Sequence, residues 1–596
     1  MTPQDSPQTP APQEVFDDLD RLAMAALGRL SGGLSAPAFQ AALADWITHL
    51  AMSPGKQMSL QWKAMRKARR LLAGLNDPMG TEGQRIEPLP QDHRFTAPEW
   101  QEMPFNAIWQ SFLLTQQWWH NATTGVKGVS REHERIVEFA SRQWLDMLSP
   151  SNFPWLNPVV LKRARETRGQ SLMDGYGFWL RDLVGLLTPQ RGGPLPGFEP
   201  GKRVALTPGR VVLRTRMMEL IQYAPTTGQV HATPILLVPA WIMKYYILDL
   251  SPENSLIRWL VGQGFTVFCI SWRNPTEKDR DTGFDDYRQD VMAALDAVLA
   301  TTGAAKAHGL GYCLGGTLLT VAAAAMARDG DDRLASMTIL AGQADFSEAG
   351  ELTLLTTEAQ VALLEAMMFE RGYLDQRAMA GTFSMLRSQD LIWSRITREY
   401  LLGEREDPSD IAAWSKDTTR MPYRMHSEYL RRLFIGNDLS EGRFDAGGKP
   451  VFPNDIRIPA FLVGTEHDHI APWRSVWKLM YLLSGDVQFA LASGGHNTGI
   501  VAAPTNPRAK YRLVGRKAGD LQPDPDQFIA NMPKQPGSWW QAWADWLSAL
   551  DPAMGAPPPM GGGKLRMMQR RAVMCMNKLR FCHGLCETVS GMRSVG

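Results

Sequence analysis

Apolar and polar positions along this chain follow two different rhythms. From Val15 to Leu75, and again from Trp100 to Leu187, apolar residues recur roughly every three to four positions, the spacing of helices with one buried face. Residues 76–98, rich in Pro and Gly, separate these stretches, and Ser149-Pro150-Ser151-Asn152-Phe153 breaks the second. Then comes a dense linker, Gly192-Gly193-Pro194-Leu195-Pro196-Gly197, which marks a domain boundary. Beyond it apolar residues arrive in short continuous blocks: Pro234–Val238, Thr266–Ser271, Lys306–Tyr312, Met337–Ala341, Pro459–Val463 and Val487–Ala492. Helical segments at Ile257–Gln263, Tyr287–Leu299 and Thr317–Ala327 alternate with them, and Val211–Tyr223 reads as a β ribbon. Strands apolar throughout and alternating with helices predict a mostly parallel sheet covered on both faces. Ala344–Asp455 breaks the alternation with a long, mostly helical insertion rich in Met, Leu, Trp and Tyr.

The predicted organisation is therefore a disordered start (1–14), a helical N-terminal domain (15–195) and an α/β domain (196–550) carrying a helical lid insertion at 344–455. A Pro/Gly-rich and then basic tail (551–596) completes it. The net charge of +2 over 596 residues gives no overall electrostatic case for nucleic acid. The tail from Lys564 holds seven Lys/Arg against one Glu, so the rest of the chain is mildly acidic. Lys63, Arg66, Lys67, Arg69 and Arg70 cluster on a helix; they read as a solvated face, with an anionic ligand or surface as the alternative. Five cysteines without an even framework indicate free thiols in a reducing compartment. No signal peptide is read at the N-terminus, and the apolar run Leu318–Ala327 is too short to span a bilayer, so a cytoplasmic protein is expected.

Candidate chemistry centres on Gly311-Tyr312-Cys313-Leu314-Gly315-Gly316, with a strand before it and a small-residue helix after it. That is the nucleophile-elbow pattern of the α/β-hydrolase fold, with cysteine where serine is usual. Glycines allow strand and helix to approach closely around a strained nucleophile. The backbone N–H of Leu314 can supply half of an oxyanion hole, and the loop holding Trp241 after Pro234–Val238 the other half.

A thiol needs a base and the base an orienting carboxylate, which follow in the order carboxylate then histidine. Asp468 lies just past the strand Pro459–Val463 and His496 just past Val487–Ala492, at the strand ends where open α/β sheets bind ligands. Glu466 is the alternative orienter. His467 and His469 flank Asp468 and point away from it; His308 and Cys269, inside strands, read as core. Cys575, Cys582, His583 and Cys586 fit no common zinc spacing, and no metal is expected.

The chain resembles the polyhydroxyalkanoate synthases, the polymerases of bacterial storage polyester. The resemblance is carried by the elbow, by Lys244-Tyr245-Tyr246-Ile247-Leu248-Asp249-Leu250 with Ser271-Trp272-Arg273-Asn274-Pro275, and by Ser149–Phe153 with Asn157-Pro158. Asp468-His469-Ile470-Ala471-Pro472-Trp473 and Gly537-Ser538-Trp539-Trp540 extend it over residues 95–550. Length and the N-terminal helical region are similar to the one-subunit synthases. The resemblance implies transfer of 3-hydroxyacyl groups, short-chain ones such as 3-hydroxybutyryl, from coenzyme A (CoA) thioesters onto a growing polyester. Cys313 then holds the chain as a thioester and His496 deprotonates it. Asp468 orients His496 or helps activate the incoming 3-hydroxyl. No cofactor beyond the CoA thioester substrate is implied. A homodimer at the surface of a cytoplasmic polyester granule, among granule-associated proteins, is also implied.

Cysteine suits such chemistry independently, because moving an acyl group between thioesters is nearly isoenergetic, and excluding water gives the insertion a reason to be a lid. Three departures stand out. Ala240-Trp241-Ile242-Met243 replaces a Pro-rich, Asn-containing segment, Ser493-Gly494-Gly495-His496-Asn497-Thr498-Gly499 replaces a single-glycine loop, and the tail after Gly563 has no counterpart. A thioesterase or polyester depolymerase with the same triad is the same-fold alternative, and a non-catalytic granule-surface protein the alternative of another class.

Overall fold

The structure, a computed structural model, describes residues 12–76, 86–89, 92–187, 193–375, 381, 384–385 and 388–561. Residues 1–11, the linker positions 188–192 and the basic tail with Cys575, Cys582, His583 and Cys586 lie outside the described residues. Two compact units form. One gathers residues 1–193 with 354–367 and 376–408; the other gathers 194–353, 368–375 and 409–596.

The first unit contains α1 (Pro12–Leu30), α2 (Ala36–Ala51), α3 (Pro54–Asn76), α4 (Phe105–Thr123), α5 (Arg131–Met147), α6 (Pro158–Glu166) and α7 (Gln170–Leu187). Helix α1 begins inside the segment expected to be disordered, at Pro12. Ser35, Ser130 and Asn157 cap α2, α5 and α6 by accepting first-turn N–H groups. A small aromatic core of Phe95, Trp100, Trp109, Leu113 and Leu114 holds α4. Above it Arg94 spreads over Phe95 and Phe112 while pairing with Asp92 and Asp146 at 2.8 and 2.9 Å. The 149–158 motif has a structural task. Asn152 donates to the Asp146 carbonyl at 2.7 Å and Asn157 to that of Ser151 at 2.8 Å, which ends α5 and starts α6.

The insertion expected as one lid over 344–455 is divided. Its middle belongs to the helical unit, where Asp182 of α7 accepts from Arg395, Tyr400 and Arg405 at 2.8, 2.7 and 2.6 Å. Gly175 of α7 permits this approach, since a Cβ there would sit 2.0 Å from the Tyr400 carbonyl oxygen.

The second unit is built on a ten-stranded sheet. Its strands are β1 (Gly209–Arg214), β2 (Met218–Tyr223), β3 (Ile235–Val238), β4 (Val267–Trp272) and β5 (Ala307–Tyr312), then β6 (Leu334–Leu340), β7 (Ala460–Thr465), β8 (Val487–Ala492), β9 (Lys510–Arg516) and β10 (Gln535–Pro536). Their spatial order is β1-β2-β4-β3-β5-β6-β7-β8-β9-β10. The six central strands, β4 to β8 in that order, run parallel, and the two at each edge are antiparallel. Every residue of β3, β5 and β7 is buried, as expected for strands covered on both faces.

Helix α8 (Leu256–Gly262) and helix α9 (Phe284–Thr302) cover the sheet, and α10 (Leu314–Asp329) follows β5. All residues of α10 from Leu314 to Met326 are buried, which explains the alanine-rich run: only small side chains let a helix sit so deep. Gly330 ends it in the left-handed conformation at φ 74°. Finally α11 (Trp539–Leu550) buries Trp539, Trp540 and Trp543. The unit continues past the boundary expected at residue 550. Met554–Gly555 pairs with Val230–His231, and Gly561 donates its N–H to Gln222 Oε1 at 2.8 Å.

Candidate active site

Cys313 stands between β5 and α10 at φ 53°, ψ −125°, a conformation costly for a residue with a side chain and held by its surroundings. Its N–H is anchored to the Leu340 carbonyl of β6 at 2.8 Å, and its own carbonyl accepts from Gly316 at 2.8 Å. The glycines behave as their spacing predicts. A Cβ on Gly311 would meet Gly316 Cα at 2.4 Å, and one on Gly315 would meet the Val238 carbonyl oxygen at 1.9 Å. The helix thus begins pressed against the end of β3. Pro239, which opens the turn expected to supply the second oxyanion donor, lies against Gly315, two residues past Cys313.

Asp468 and His496 meet as their positions after β7 and β8 require. His496 Nδ1 bonds Asp468 Oδ2 at 2.7 Å, while Asp468 Oδ1 accepts the backbone N–H groups of Ile470 and Ala471, each at 2.9 Å. Thr465 Oγ1 donates to Oδ2 at 3.3 Å. Burial pushes the carboxyl upward, yet His496 and those two N–H groups bring it below the usual carboxylate range. Burial disfavours a charged imidazole, but Asp468 and the nearby sulfur of Cys313 more than offset it and hold His496 well above its ordinary value. The imidazole is thus bonded to the carboxylate and stands beside the sulfur, an arrangement suited to taking the thiol proton and stabilising the imidazolium.

The competing residues are engaged elsewhere. Glu466 pairs with Arg512 at 2.7 Å and Lys534 at 2.8 Å, so it is not the orienter. His308 bonds Ser336 at 2.7 Å within the sheet, and burial pushes it down to about 4. Cys269 is buried in mid-strand, and burial raises its thiol well above the ordinary range. Arg273 of the family motif pairs with Asp279 at 2.7 Å. Lys244 is partly buried, which lowers its ammonium, and its carbonyl accepts from Trp414. Among the described residues no group of His, Cys, Asp or Glu is gathered for a metal ion.

Several site residues escaped the sequence reading. Tyr312, buried at the end of β5, lies with its ring 5.6 Å from that of His496 and donates its hydroxyl to Asn497 Oδ1. Tyr429, supplied by the insertion, is raised well above the ordinary phenol range by burial and by the nearby Cys313 sulfur. Trp241 packs edge-on against it at 6.0 Å, and against Phe284 at 5.6 Å. Trp539 and Trp540 donate their indole N–H groups to the carbonyls of Gly499 and Ile500 at 3.0 and 2.8 Å, pinning the far side of the His496 loop. Adjacency to Cys313 was the available signal for Tyr312; none marked Tyr429.

Comparison with known proteins agrees with this fold. Residues 233–503 match the α/β hydrolase fold, residues 91–260 the N-terminus of poly-beta-hydroxybutyrate polymerase (PhaC), and residues 14–56 a poly-beta-hydroxybutyrate polymerase N-terminal family. A poly(3-hydroxyalkanoate) polymerase of Methylorubrum extorquens is 40% identical over 81% of this chain and 82% of its own. The chain belongs to the poly(3-hydroxyalkanoate) polymerase family. Polymerase subunits of Rhizobium meliloti and Cupriavidus necator are 35% and 33% identical, over 80% and 86% of this chain and 78% and 85% of theirs. Among the described residues no helix is long and apolar enough to cross a membrane.

Proposed function

We propose that the chain is a one-subunit polyhydroxyalkanoate synthase that polymerises 3-hydroxyacyl groups, 3-hydroxybutyryl among them, from their CoA thioesters. One observation carries the reading: a family member by 40% identity over 81% of its length sets a cysteine elbow beside a buried, hydrogen-bonded His–Asp pair. In the proposed cycle His496 takes the Cys313 proton and the sulfur attacks the thioester carbonyl. Leu314 and Trp241 offer backbone N–H groups to the developing oxyanion. The bond to CoA sulfur breaks, and CoA leaves with the proton from His496. The 3-hydroxyl of the next unit, deprotonated at the same imidazole, then attacks the Cys313 thioester, forming the ester and regenerating the thiol. Asp468 orients His496 and stabilises its charge.

The insertion's Tyr429 lies near the sulfur, and Trp241, itself against Phe284, packs on that ring. That supports water exclusion, without which the acyl-enzyme would hydrolyse. The same reading includes a homodimer working on the surface of a polyester granule in the cytoplasm, among granule-associated proteins. The test follows free CoA and turbidity together with purified protein and 3-hydroxybutyryl-CoA. Thiol release with insoluble polymer is expected, and Cys313→Ala should abolish both. Release leaving only free hydroxy acid would make the protein a thioesterase.

A further inference from the structure

We propose that the hydrogen bond from Tyr312 to Asn497 is a brace that sets the spacing between the Cys313 sulfur and the His496 imidazole. Tyr312 immediately precedes the nucleophile and Asn497 immediately follows the base, so this bond ties the two catalytic residues through their chain neighbours. The inference rests on reading Cys313 and His496 as nucleophile and base.

Sheet order supplies the need. Strand β5, which ends at the nucleophile, and β8, which leads to the base, are separated by β6 and β7. No ladder joins them directly, and three interstrand steps of about 4.8 Å each would otherwise set their relation. The Asp468 bond does not remove that freedom, because Asp468 sits on the β7 side and holds only Nδ1. Within the loop, Gly495 donates to Thr498 Oγ1 at 3.0 Å, Gly499 to Gly495 at 2.8 Å and Trp539 to Gly499 at 3.0 Å, and none of these reaches the elbow. The Tyr312 hydroxyl does. Its ring, 2% exposed, also lies beside the imidazole at an interplanar angle of 32°, so the same side chain limits both the approach and the tilt of His496. Burial raises the phenol well above its ordinary range, which keeps it a neutral donor throughout the working pH range.

The test reads alkylation of Cys313 by iodoacetamide, followed at that residue by peptide mass spectrometry from pH 6 to 9, with Tyr312→Phe, Asn497→Ala and the double variant. Alkylation needs the Cys–His pair but no acyl substrate, so its result stands whichever reaction the enzyme performs; the CoA-release assay separately tests the polymerase reading. Each single variant is expected to slow alkylation near pH 7 about tenfold, the worth of one buried hydrogen bond. Melting temperature should move little, because Phe keeps the ring and Asn497 is half-exposed. The double variant should be no slower than either single one, and in turnover kcat should fall while KM holds. Wild-type alkylation in Tyr312→Phe, or losses that multiply to about a hundredfold in the double variant, would overturn the brace. Should Tyr312→Phe fail to fold, Asn497→Ala alone decides, and wild-type alkylation there is equally fatal.

Discussion

Replacing Asp468 with Asn tests whether that carboxylate works through His496, and the structure sets the size of the effect. Oδ1 of Asp468 accepts two backbone N–H groups, from Ile470 and Ala471. An asparagine must keep its oxygen there, which turns its NH2 toward His496 Nδ1. The imidazole is then forced to accept at Nδ1 and to carry its proton on the nitrogen facing the sulfur, where it no longer acts as a base. With a serine nucleophile such a tautomer reversal costs about 10⁴ in rate. A thiol loses far less, because an ordinary cysteine with a pKa of about 8.5 is still roughly 3% ionised at pH 7. The expected loss is therefore about thirtyfold at pH 7, about fourfold at pH 8, and nearly nothing above pH 9. The assay is single-turnover release of the first CoA across that range, compared with steady-state elongation. If Asp468 acts through His496, acylation recovers at high pH, whereas elongation, whose alcohol nucleophile does not ionise in that range and needs the imidazole as base, falls by about 10⁴ and does not recover. A loss near 10⁴ in acylation with no alkaline recovery would refute the tautomer argument. Elongation recovering together with acylation at high pH would instead show that the imidazole is not the base for the incoming hydroxyl.

Gly315→Ala should be destabilised by about 3 kcal/mol or more and lose activity, because its Cβ would sit 1.9 Å from a backbone oxygen of β3; soluble expression and urea unfolding check this. In the base loop Gly494, at φ +103°, cannot be replaced without strain of about 1–3 kcal/mol, whereas Gly495→Ala meets nothing closer than 3.7 Å and should keep its melting temperature. His308 is buried and pushed down to about 4, so the unfolded chain takes up a proton near pH 6.5 that the folded one refuses. Its contribution is present above pH 6.5 and is lost as pH falls toward 4, by about 3 kcal/mol in all. His308→Gln should lose correspondingly less stability over that interval, measured by urea unfolding at each pH.

The parallel core and the convergence of Cys313, Asp468 and His496 at its strand ends were legible because strands buried on both faces read as unbroken apolar blocks. The edges were not. Lys510–Arg516 reads Lys-Tyr-Arg-Leu-Val-Gly-Arg, half-exposed and charged, yet it pairs with β8 over six residues. Periodicity likewise announced helices in the insertion but not the core they join. Arg395 finds Asp182 at a separation of 213 residues, and local pattern carries no information about such a partner. The same holds for Tyr312 and Asn497, 185 residues apart.

The motifs that identify the family and the residues that perform chemistry are largely different residues, and the structure gives the reason. Asn152 and Asn157 join α5 to α6, Tyr246 donates to Asp417 at 2.8 Å, Arg273 neutralises Asp279, and Trp539 and Trp540 pin the carbonyls beyond His496. Apart from the exposed Arg273, whose partner Asp279 is buried, each is a buried or partly buried polar group, and replacing any of them removes the partner of a buried atom, which costs about 1–3 kcal/mol. A Cys–His–Asp chain, in contrast, serves any acyl transfer. What separates polymerisation from hydrolysis is then the fate of the thioester, which depends on how long water is kept from Cys313. That directs attention to Tyr429, the aromatic side chain near the sulfur, and to Trp241 packed on it. Tyr429→Ala should accordingly raise release of free hydroxy acid relative to polymer while leaving the first acylation within a few-fold of wild type. An unchanged ratio of acid to polymer would move the water barrier elsewhere.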